Sequence, residues 1–132
     1  MRLGTACLLA ACAHAAATPP PAKSVRVNAP GAMIDVNTTL VADYVTIVDF
    51  WSESCGACKV VGAKVTAAIA NDARVIVREV DVGDGLGDLA RAYDIGALPH
   101  YNVYDRARHL RYVLVGNDCL RAPELARALV TE

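Results

Sequence analysis

One continuous stretch of the sequence constrains the fold of this chain more than any other. It runs from Val45 to Lys59 and reads VTIVDFWSESCGACK: an apolar run broken by one acid, an aromatic pair, and two cysteines in C-x-x-C spacing. The β-branched apolar run is typical of a strand at the centre of a sheet that is covered on both faces. The cysteines, Cys55 and Cys58, follow where a helix is expected to begin.

A βαβ unit is predicted around this stretch. Apolar residues recur at helical spacing after the cysteines, which predicts a helix over 58–70 that ends at Asn71-Asp72. Gly62 lies inside that helix and indicates a kink or a close backbone approach. A second β-branched run predicts a strand over 75–82, and a strand, a helix and a strand of these lengths imply two parallel neighbouring strands.

Local patterns predict the remaining elements. Alternating apolar residues predict a short strand at 25–27, and a short helix is predicted near Thr38 to Ala42 with Asn37 as its cap. Further predicted elements are a helix, two paired strands and a last helix, at 88–93, 101–104, 110–115 and 123–130.

The N-terminal residues predict export from the cytoplasm. An apolar segment at 3–11 has the length of a signal-peptide core and is too short to cross a bilayer, so we assign 1–11 to a signal peptide. The sequence LAAC at 9–12 resembles the bacterial lipobox, in which Cys12 is lipidated and becomes the mature N-terminus. Small residues at 13–17 also fit a site of ordinary secretion, and an uncleaved start is a third interpretation. The first two interpretations place the domain outside the cytoplasm, in the periplasm.

A proline-rich segment links this N-terminus to the rest of the chain. Residues 12–24 include Pro19-Pro20-Pro21, which cannot continue a helix or join a sheet and favours an extended conformation. We expect this segment to be a semi-rigid tether between a lipid anchor in the membrane and a single domain at 25–132.

Composition and cysteine placement limit the class of function. A chain of 132 residues, 55% hydrophobic and 20% charged, is expected to form one folded domain, and its net charge of -1 gives no basis for electrostatic capture of nucleic acid. Cys7 and Cys12 belong to the N-terminal segment, which leaves Cys55, Cys58 and Cys119 for the domain. One close pair with one extra thiol indicates redox chemistry, with metal binding as the alternative. We interpret Cys119 as a spare small residue rather than a regulatory or dimer-forming thiol.

The three candidate catalytic residues have different expected roles. Backbone N–H groups and the dipole at a helix start stabilise a thiolate, and a C-x-x-C motif there commonly lowers the pKa of its first cysteine from about 8.5 toward 7 or below. Cys55 is therefore the expected nucleophile, and Cys58, one turn into the helix on its apolar stripe, is expected to be buried and to resolve a mixed disulfide. Asp49 lies in an apolar run, where a carboxyl group needs a partner or a raised pKa and is often functional.

Two motifs resemble those of the thioredoxin family. Residues 48–59, VDFWSESCGACK, look like the thioredoxin signature, and residues 93–99, YDIGALP, look like that family's approach to its cis-proline. The resemblance covers roughly residues 25–132 and implies an α/β thioredoxin fold, a central mixed β-sheet flanked by helices in a single domain. It also implies that Asp49 lies beneath the cysteines and assists proton transfer to and from Cys58.

The resemblance further implies a substrate-binding surface. Pro99 is expected to be cis and to face the disulfide, and the backbone of Leu98 is expected to pair with an extended substrate segment. Trp51 is expected to pack beside the site and can also contact substrate, and Gly56 and Ala57 of the cysteine motif are expected to contribute to substrate binding.

The sequence departs from the family pattern at two positions. Ser54 stands where thioredoxins usually carry tryptophan, which removes a flat contact surface beside the nucleophile. Ala57 stands where they carry proline, which alters the helix start and the redox potential. These departures favour a narrower extracytoplasmic role over general cytosolic thioredoxin activity.

The sequence thus predicts a thiol–disulfide oxidoreductase that uses Cys55 and Cys58 on protein disulfides or dithiols. We expect a monomer with no cofactor of its own and with an external electron donor or acceptor, because no second redox domain is expected. The alternative is a copper or zinc binding module or metallochaperone in which His100, His109 or Cys119 joins the cysteine pair. A catalytically silent interaction domain is the remaining interpretation.

Overall fold

The structure is a computed structural model that describes residues 16–132. The predicted signal peptide and the lipidation site at Cys12 lie outside the described residues. Within the described part, the strands are β1 (Ser24–Arg26), β2 (Val45–Trp51), β3 (Val75–Asp81), β4 (His100–Tyr104) and β5 (Leu110–Val115), and the α-helices are α1 (Gly56–Ala68), α2 (Asp88–Ala92) and α3 (Ala122–Val130). Two 3₁₀ helices occupy Val36–Thr39 and Gly116–Arg121.

The strands form one mixed sheet in the order β1-β3-β2-β4-β5. β1, β3 and β2 are parallel, whereas β4 is antiparallel to β2 and β5 is antiparallel to β4. The predicted βαβ unit is confirmed, since α1 connects the parallel neighbours β2 and β3. The predicted fold class, a central mixed sheet flanked by helices, is confirmed as well.

β2 is central because it can be buried on both faces. Every residue of this strand is buried, which its β-branched and aromatic side chains permit. One face of the sheet, together with α1 and α3, encloses an apolar cluster that includes Ile47, Val65 and Leu129. The opposite face packs against α2 and the first 3₁₀ helix through a second cluster that includes Phe50 and Leu89. We call these the α1 face and the α2 face.

The start of the folded domain is fixed to the sheet. No helix or strand occurs at 16–22, within the predicted tether. The Lys23 side chain donates hydrogen bonds to the backbone carbonyls of Asp72 and Val75, and β1 begins at the next residue. The α-helices between residues 16 and 132 are all too short or too polar to cross a membrane.

The sequence prediction placed one short helix wrongly. Instead of a helix near Thr38 to Ala42 capped by Asn37, the chain forms the 3₁₀ helix Val36–Thr39. Its cap is Asp35, whose Oδ1 accepts a hydrogen bond from the Asn37 backbone N–H at 3.0 Å. Asp and Asn are both good caps, and the first one in the chain takes the position.

Candidate active site

The two cysteines of the C-x-x-C motif are joined in a disulfide at the start of α1. Their Cα atoms are 5.3 Å apart. Cys55 is the N-cap residue of the helix, with extended backbone angles, and its Sγ accepts a hydrogen bond from the Cys58 backbone N–H at 3.1 Å. A sulfur atom therefore takes the place of the oxygen that usually satisfies a free N–H group at a helix start.

The two sulfur-bearing residues differ in access to solvent. Cys55 is half-buried, whereas Cys58 is only 3% exposed and lies on the buried stripe of α1 with Val61 and Val65. As predicted, the second cysteine is buried. An incoming thiol or disulfide can approach Cys55 more readily than Cys58, which gives the pair an outer and an inner member.

Asp49 lies in β2 beneath α1. Its side chain is buried, and a Cβ atom added at Gly62 would be 3.6 Å from Asp49 Oδ2. Gly62 is one helical turn beyond Cys58, so both face the sheet from the same side of the helix. A Cβ atom at this position would make only an ordinary van der Waals contact with the carboxyl, so the predicted close backbone approach at Gly62 is not seen.

The environment of Asp49 favours its neutral form. Burial, and to a smaller extent the nearby Glu79 carboxylate, raise the pKa of the carboxyl from 3.8 to about 7. Hydrogen bonding from the Tyr101 hydroxyl partly offsets these effects by lowering the pKa. Asp49 Oδ1 has no hydrogen-bond partner among the described residues. A carboxyl group with this pKa can both accept and return a proton near neutral pH.

The Leu98–Pro99 peptide bond is cis. Pro99 directly precedes β4, where a missing backbone N–H is tolerated. Because β4 is antiparallel to β2 with His100 opposite Phe50, this segment lies at the end of the sheet from which the chain leaves β2 toward the cysteines. The Pro99 carbonyl accepts hydrogen bonds from the Gly116 N–H at 2.9 Å and from the Cys119 thiol at 3.6 Å.

The other predicted site residues surround the helix start. Trp51 ends β2 and is buried, with the guanidinium carbon of Arg26 4.5 Å from the centroid of its ring, so it packs beside the site as expected. Gly56 and Ala57 are exposed in the first turn of α1, and Leu98 is half-buried. The assignment of these residues to substrate binding stays a prediction.

Sequence reasoning missed two neighbours of Asp49. Glu79 and Tyr101 occupy the register positions on either side of it, in β3 and β4. The sequence does place Glu79 in the strand that follows α1, which was the available signal that it could lie near Asp49. Finding it required the strand register, which the pattern of apolar residues alone does not fix when a strand is buried on both faces.

The structure does not assemble the alternative metal site. Between residues 16 and 132, no group of three or more histidine, cysteine or acidic side chains is arranged to hold a metal ion. His100 packs its ring against Phe50 on the α2 face and bonds Asn102 at 3.1 Å. His109 is exposed in a turn near Asp105. The alternative in which His100 or His109 joins the cysteine pair is not supported, because neither the β4 register nor the turn brings these side chains to it.

Comparisons with known proteins agree on one family. The thioredoxin family model matches residues 35–120. Thioredoxin from Mycoplasma pneumoniae is 36% identical over 62 residues, which span 47% of this chain and 60% of that protein. Among solved structures, a mutant thioredoxin from Halobacterium salinarum has 21% identity and a TM-score of 0.65, with 86% of this chain and 96% of that one covered. The thioredoxin pre-protein of Schistosoma mansoni has 22% identity and a TM-score of 0.64, with 82% and 99% covered. The solved structures show that the fold is shared.

Proposed function

This chain belongs to the thioredoxin family, and on that basis we propose that it is a thiol–disulfide oxidoreductase acting on protein disulfides through Cys55 and Cys58. The observation that carries the proposal is the position of the pair at the first turn of α1, with a half-buried outer sulfur and a buried inner one. In the reduced protein, the helix start favours the thiolate of the outer cysteine.

Reduction of a substrate proceeds in two exchange steps. The Cys55 thiolate attacks one sulfur of a substrate disulfide, a new S–S bond forms, and the other substrate sulfur leaves as a thiolate. The Cys58 thiolate then attacks Cys55, which releases the second substrate thiolate and forms the Cys55–Cys58 disulfide. Two electrons have passed to the substrate, and an external dithiol must reduce the pair again. Oxidation of a substrate dithiol is the same path reversed.

Asp49 serves the second step. Cys58 is buried and must lose its proton before it attacks, and the Asp49 carboxylate beneath the helix accepts that proton. Its pKa of about 7 matches the task, because both protonation states are populated near neutral pH. In the reverse direction the protonated carboxyl returns the proton to Cys58.

The exposed surface around Cys55 binds the substrate chain. We assign the backbone of Leu98, with Pro99, to pairing with an extended substrate segment, and Gly56, Ala57 and the edge of Trp51 to further contacts. Ser54 is exposed beside the nucleophile and offers little apolar area, so this surface is expected to be narrower in its preferences than that of an ordinary thioredoxin.

We also propose that the domain acts outside the cytoplasm. The support is the signal-like N-terminus, the lipobox-like sequence ending at Cys12 and the proline-rich tether. Mass spectrometry of membrane fractions is expected to find diacylglycerol on Cys12. A soluble periplasmic form beginning near Ala16 would instead indicate ordinary secretion.

Activity and trapping experiments test the catalytic proposal. The purified protein is expected to reduce insulin with dithiothreitol as the electron donor, and Cys55→Ser is expected to abolish this. Cys58→Ser is expected to accumulate a mixed disulfide between Cys55 and substrate, because the resolving thiol is gone. Equal insulin reduction by wild type and Cys55→Ser would show that the proposed function is wrong. Circular dichroism of each variant controls for folding.

A further inference from the structure

His100 is a buried histidine beside the segment assigned to substrate binding. It is the first residue of β4 and directly follows Pro99. The strand register places it between Phe50 of β2 and Val115 of β5. Its neighbour Tyr101 belongs to the apolar cluster beneath α1, so alternation along the strand turns His100 to the α2 face. There only 5% of the residue is exposed, and its ring lies at 87° to the Phe50 ring with 5.7 Å between the centroids.

The two ring nitrogens of His100 differ in their hydrogen bonding. Nε2 lies 3.1 Å from Asn102 Oδ1, and because a carboxamide oxygen only accepts, Nε2 carries the proton of the neutral ring. Nδ1 is buried and has no hydrogen-bond partner among the described residues. Nδ1 is therefore the nitrogen that takes up a proton in acid, and the N–H group so formed has no acceptor in this conformation. A buried donor without an acceptor is costly, and more so when it carries charge.

The charged groups around the α2 face do not compensate a positive charge on His100. Asp49 and Glu79 are in register with Tyr101 and project from the opposite face. Arg78 of β3 is buried on the α2 face, where it would repel a second cation. The remaining charged side chains of β5, of α2 with its flanking loops and of the capped first 3₁₀ helix are exposed; they are Asp35, Asp84, Asp88, Arg91, Asp94 and Arg111.

The environment of His100 therefore favours its neutral form. Burial lowers the pKa of the imidazole from 6.5, and the hydrogen bond with Asn102 offsets only part of this effect. Tyr93 and Tyr104 also lie on this face, and a phenol carries no charge in acid. Protonation of His100 thus favours a conformation in which the ring leaves the α2 face for solvent.

Such a movement of the His100 ring would displace the substrate-binding segment. His100 and Pro99 share a peptide bond, and the Pro99 carbonyl accepts a hydrogen bond from the Gly116 N–H at 2.9 Å. Side-chain direction is set by the strand, so a β4 residue cannot turn from a buried face to solvent without leaving its place in the ladder. The first residue of β4 would then detach from the sheet and take the Leu98–Pro99 segment with it.

We propose that His100 is a positioning residue that holds the Leu98–Pro99 segment in its substrate-binding position only while its imidazole is neutral, so that substrate binding weakens in acid. The inference rests on the proposed function, which assigns Leu98 and Pro99 to the substrate, and it names a regulation of that same site.

The pH dependence follows from two conformations of His100. In the exposed conformation the imidazole has its ordinary pKa of 6.5, whereas in the buried conformation its pKa is lower. Protons therefore stabilise the exposed conformation as the pH falls below 6.5, by up to tenfold in the ratio of the two conformations for each unit of difference. Above about pH 7 both conformations are neutral and their ratio is constant. Substrate binding is thus expected to be constant at neutral pH and to weaken as the pH falls through 6.5.

Nitrogen NMR of the histidine rings tests the state of His100 without reference to activity. His100→Phe identifies the His100 signals by their loss. At pH 7 the wild type is expected to carry the ring proton of His100 on Nε2, and this ring is expected to titrate below pH 6.5. Titration of His100 at or above this pH, or a neutral ring protonated on Nδ1, would overturn the proposal.

Hydrogen exchange of the Gly116 amide tests whether the titration moves the segment. Its protection factor, which corrects for the intrinsic pH dependence of exchange, reports how often the bond to the Pro99 carbonyl opens. In the wild type this factor is expected to fall several-fold between pH 7 and pH 5, because the protonated His100 leaves its buried position.

Two variants and a matched control separate the titration of His100 from its packing. His100→Phe keeps a ring against Phe50, and His100→Gln keeps a donor for Asn102, but neither titrates, so the Gly116 protection factor is expected to be constant in both. His109→Gln is the control, because His109 is exposed in the turn between β4 and β5, and its protection factor should fall as in the wild type. A constant factor in the wild type, or an equal fall in either His100 variant, would overturn the proposal.

Stopped-flow kinetics test the consequence for the substrate. The reduced protein is mixed with a cyclic peptide closed by one disulfide at several concentrations, which separates the apparent dissociation constant from the rate at saturation. Between pH 7 and pH 5, the dissociation constant of the wild type is expected to rise several-fold relative to that of His100→Phe. The ratio of their saturating rates is expected to stay constant, because both proteins have the same cysteines and Asp49. An effect confined to the saturating rate, or no effect, would refute the positioning role.

These tests separate the inference from the proposed function. A wild-type protein that fails to reduce insulin at pH 7 would refute the function, whatever the histidine titration gives. An active wild type whose Gly116 protection and peptide affinity ignore the protonation of His100 would refute the positioning role and leave the function standing. Circular dichroism at pH 5 is expected to show the native fold, and global unfolding there would also refute a local movement.

Discussion

Replacing Asp49 with asparagine is expected to raise the stability of the oxidised protein at alkaline pH but not at acidic pH. Asp49 is 8% exposed, and the pKa of its carboxyl in the folded protein is raised from 3.8 to about 7, mainly by burial. The folded state therefore holds a proton between these two values that the unfolded chain has released. It follows that the free energy of unfolding of the wild type falls as pH rises through this interval.

The size of the effect follows from the two pKa values. One pKa unit corresponds to about 1.4 kcal/mol, and a single group with these values lowers the free energy of unfolding by roughly 2–3 kcal/mol between pH 5 and pH 8. Asparagine does not ionise, so the free energy of unfolding of the variant does not fall for this reason between pH 5 and pH 8. Its amide is buried at a position where one oxygen has no partner, which costs about 1 kcal/mol at every pH. The variant is therefore expected to be more stable than wild type at pH 8 and similar to it at pH 5.

Urea unfolding of the oxidised protein at both pH values measures this difference. The informative quantity is the change, between the two pH values, in the difference between the Asp49→Asn variant and wild type. Asp84→Asn is the control, because Asp84 is exposed in the loop between β3 and α2, and its difference from wild type should not depend on pH. An Asp49→Asn difference that is the same at both pH values would refute the assignment of a raised pKa to Asp49.

Three further predictions concern other parts of the molecule. The Cys119 thiol is fully buried and bonds two backbone carbonyls, so peptide mapping after alkylation should find it modified only in denatured protein; rapid labelling of the native protein would contradict its place in the core. Tyr93→Phe removes a hydroxyl that donates to the Ile34 carbonyl at 2.7 Å and accepts from the Val36 N–H at 2.9 Å, and it is expected to cost about 1–3 kcal/mol in urea unfolding; an unchanged midpoint would show that this bridge contributes little. Ala57→Pro removes a free N–H group beside the nucleophile and is expected to raise the pKa of Cys55 in the reduced protein, by up to about one unit in a thiolate absorbance titration; a lowered pKa would show that the N–H is not a thiolate donor.

Most of the fold could be predicted because its elements have strong local signals. β2 and β3 are long β-branched runs, and α1 carries an apolar stripe after a cysteine that can cap it, so propensity, pattern and capping agree. The 3₁₀ helix at Val36–Thr39 was misplaced because two neighbouring residues, Asp35 and Asn37, are both good caps and the segment is too short to show a period. The 3₁₀ helix Gly116–Arg121, which contains Cys119, was missed because it is also too short to show a period.

The residues of the candidate site also differ in the strength of their sequence signals. Cys55, Cys58 and Asp49 were visible because each is chemically out of place in its segment: two thiols at a helix start, and one acid in an apolar strand. Glu79 was not visible, because an acid that follows an arginine in a strand is ordinary.

What makes Glu79 unusual is the strand beside it. Shifting the β2–β3 register by one residue would move its side chain to the α2 face, away from Asp49. Such a shift would also move apolar side chains of the cluster beneath α1 and α3, including Ile47 and Val77, out of register with each other. The packing of that cluster therefore fixes the register, and the register in turn brings the two acids together. It follows that a core substitution which loosens β3, such as Val77→Ala, should alter the titration of Asp49 as well as the stability, although Val77 carries no charge. A variant that loses stability by the usual few kcal/mol for a buried truncation and yet titrates like wild type would show that the acid pair does not depend on that packing.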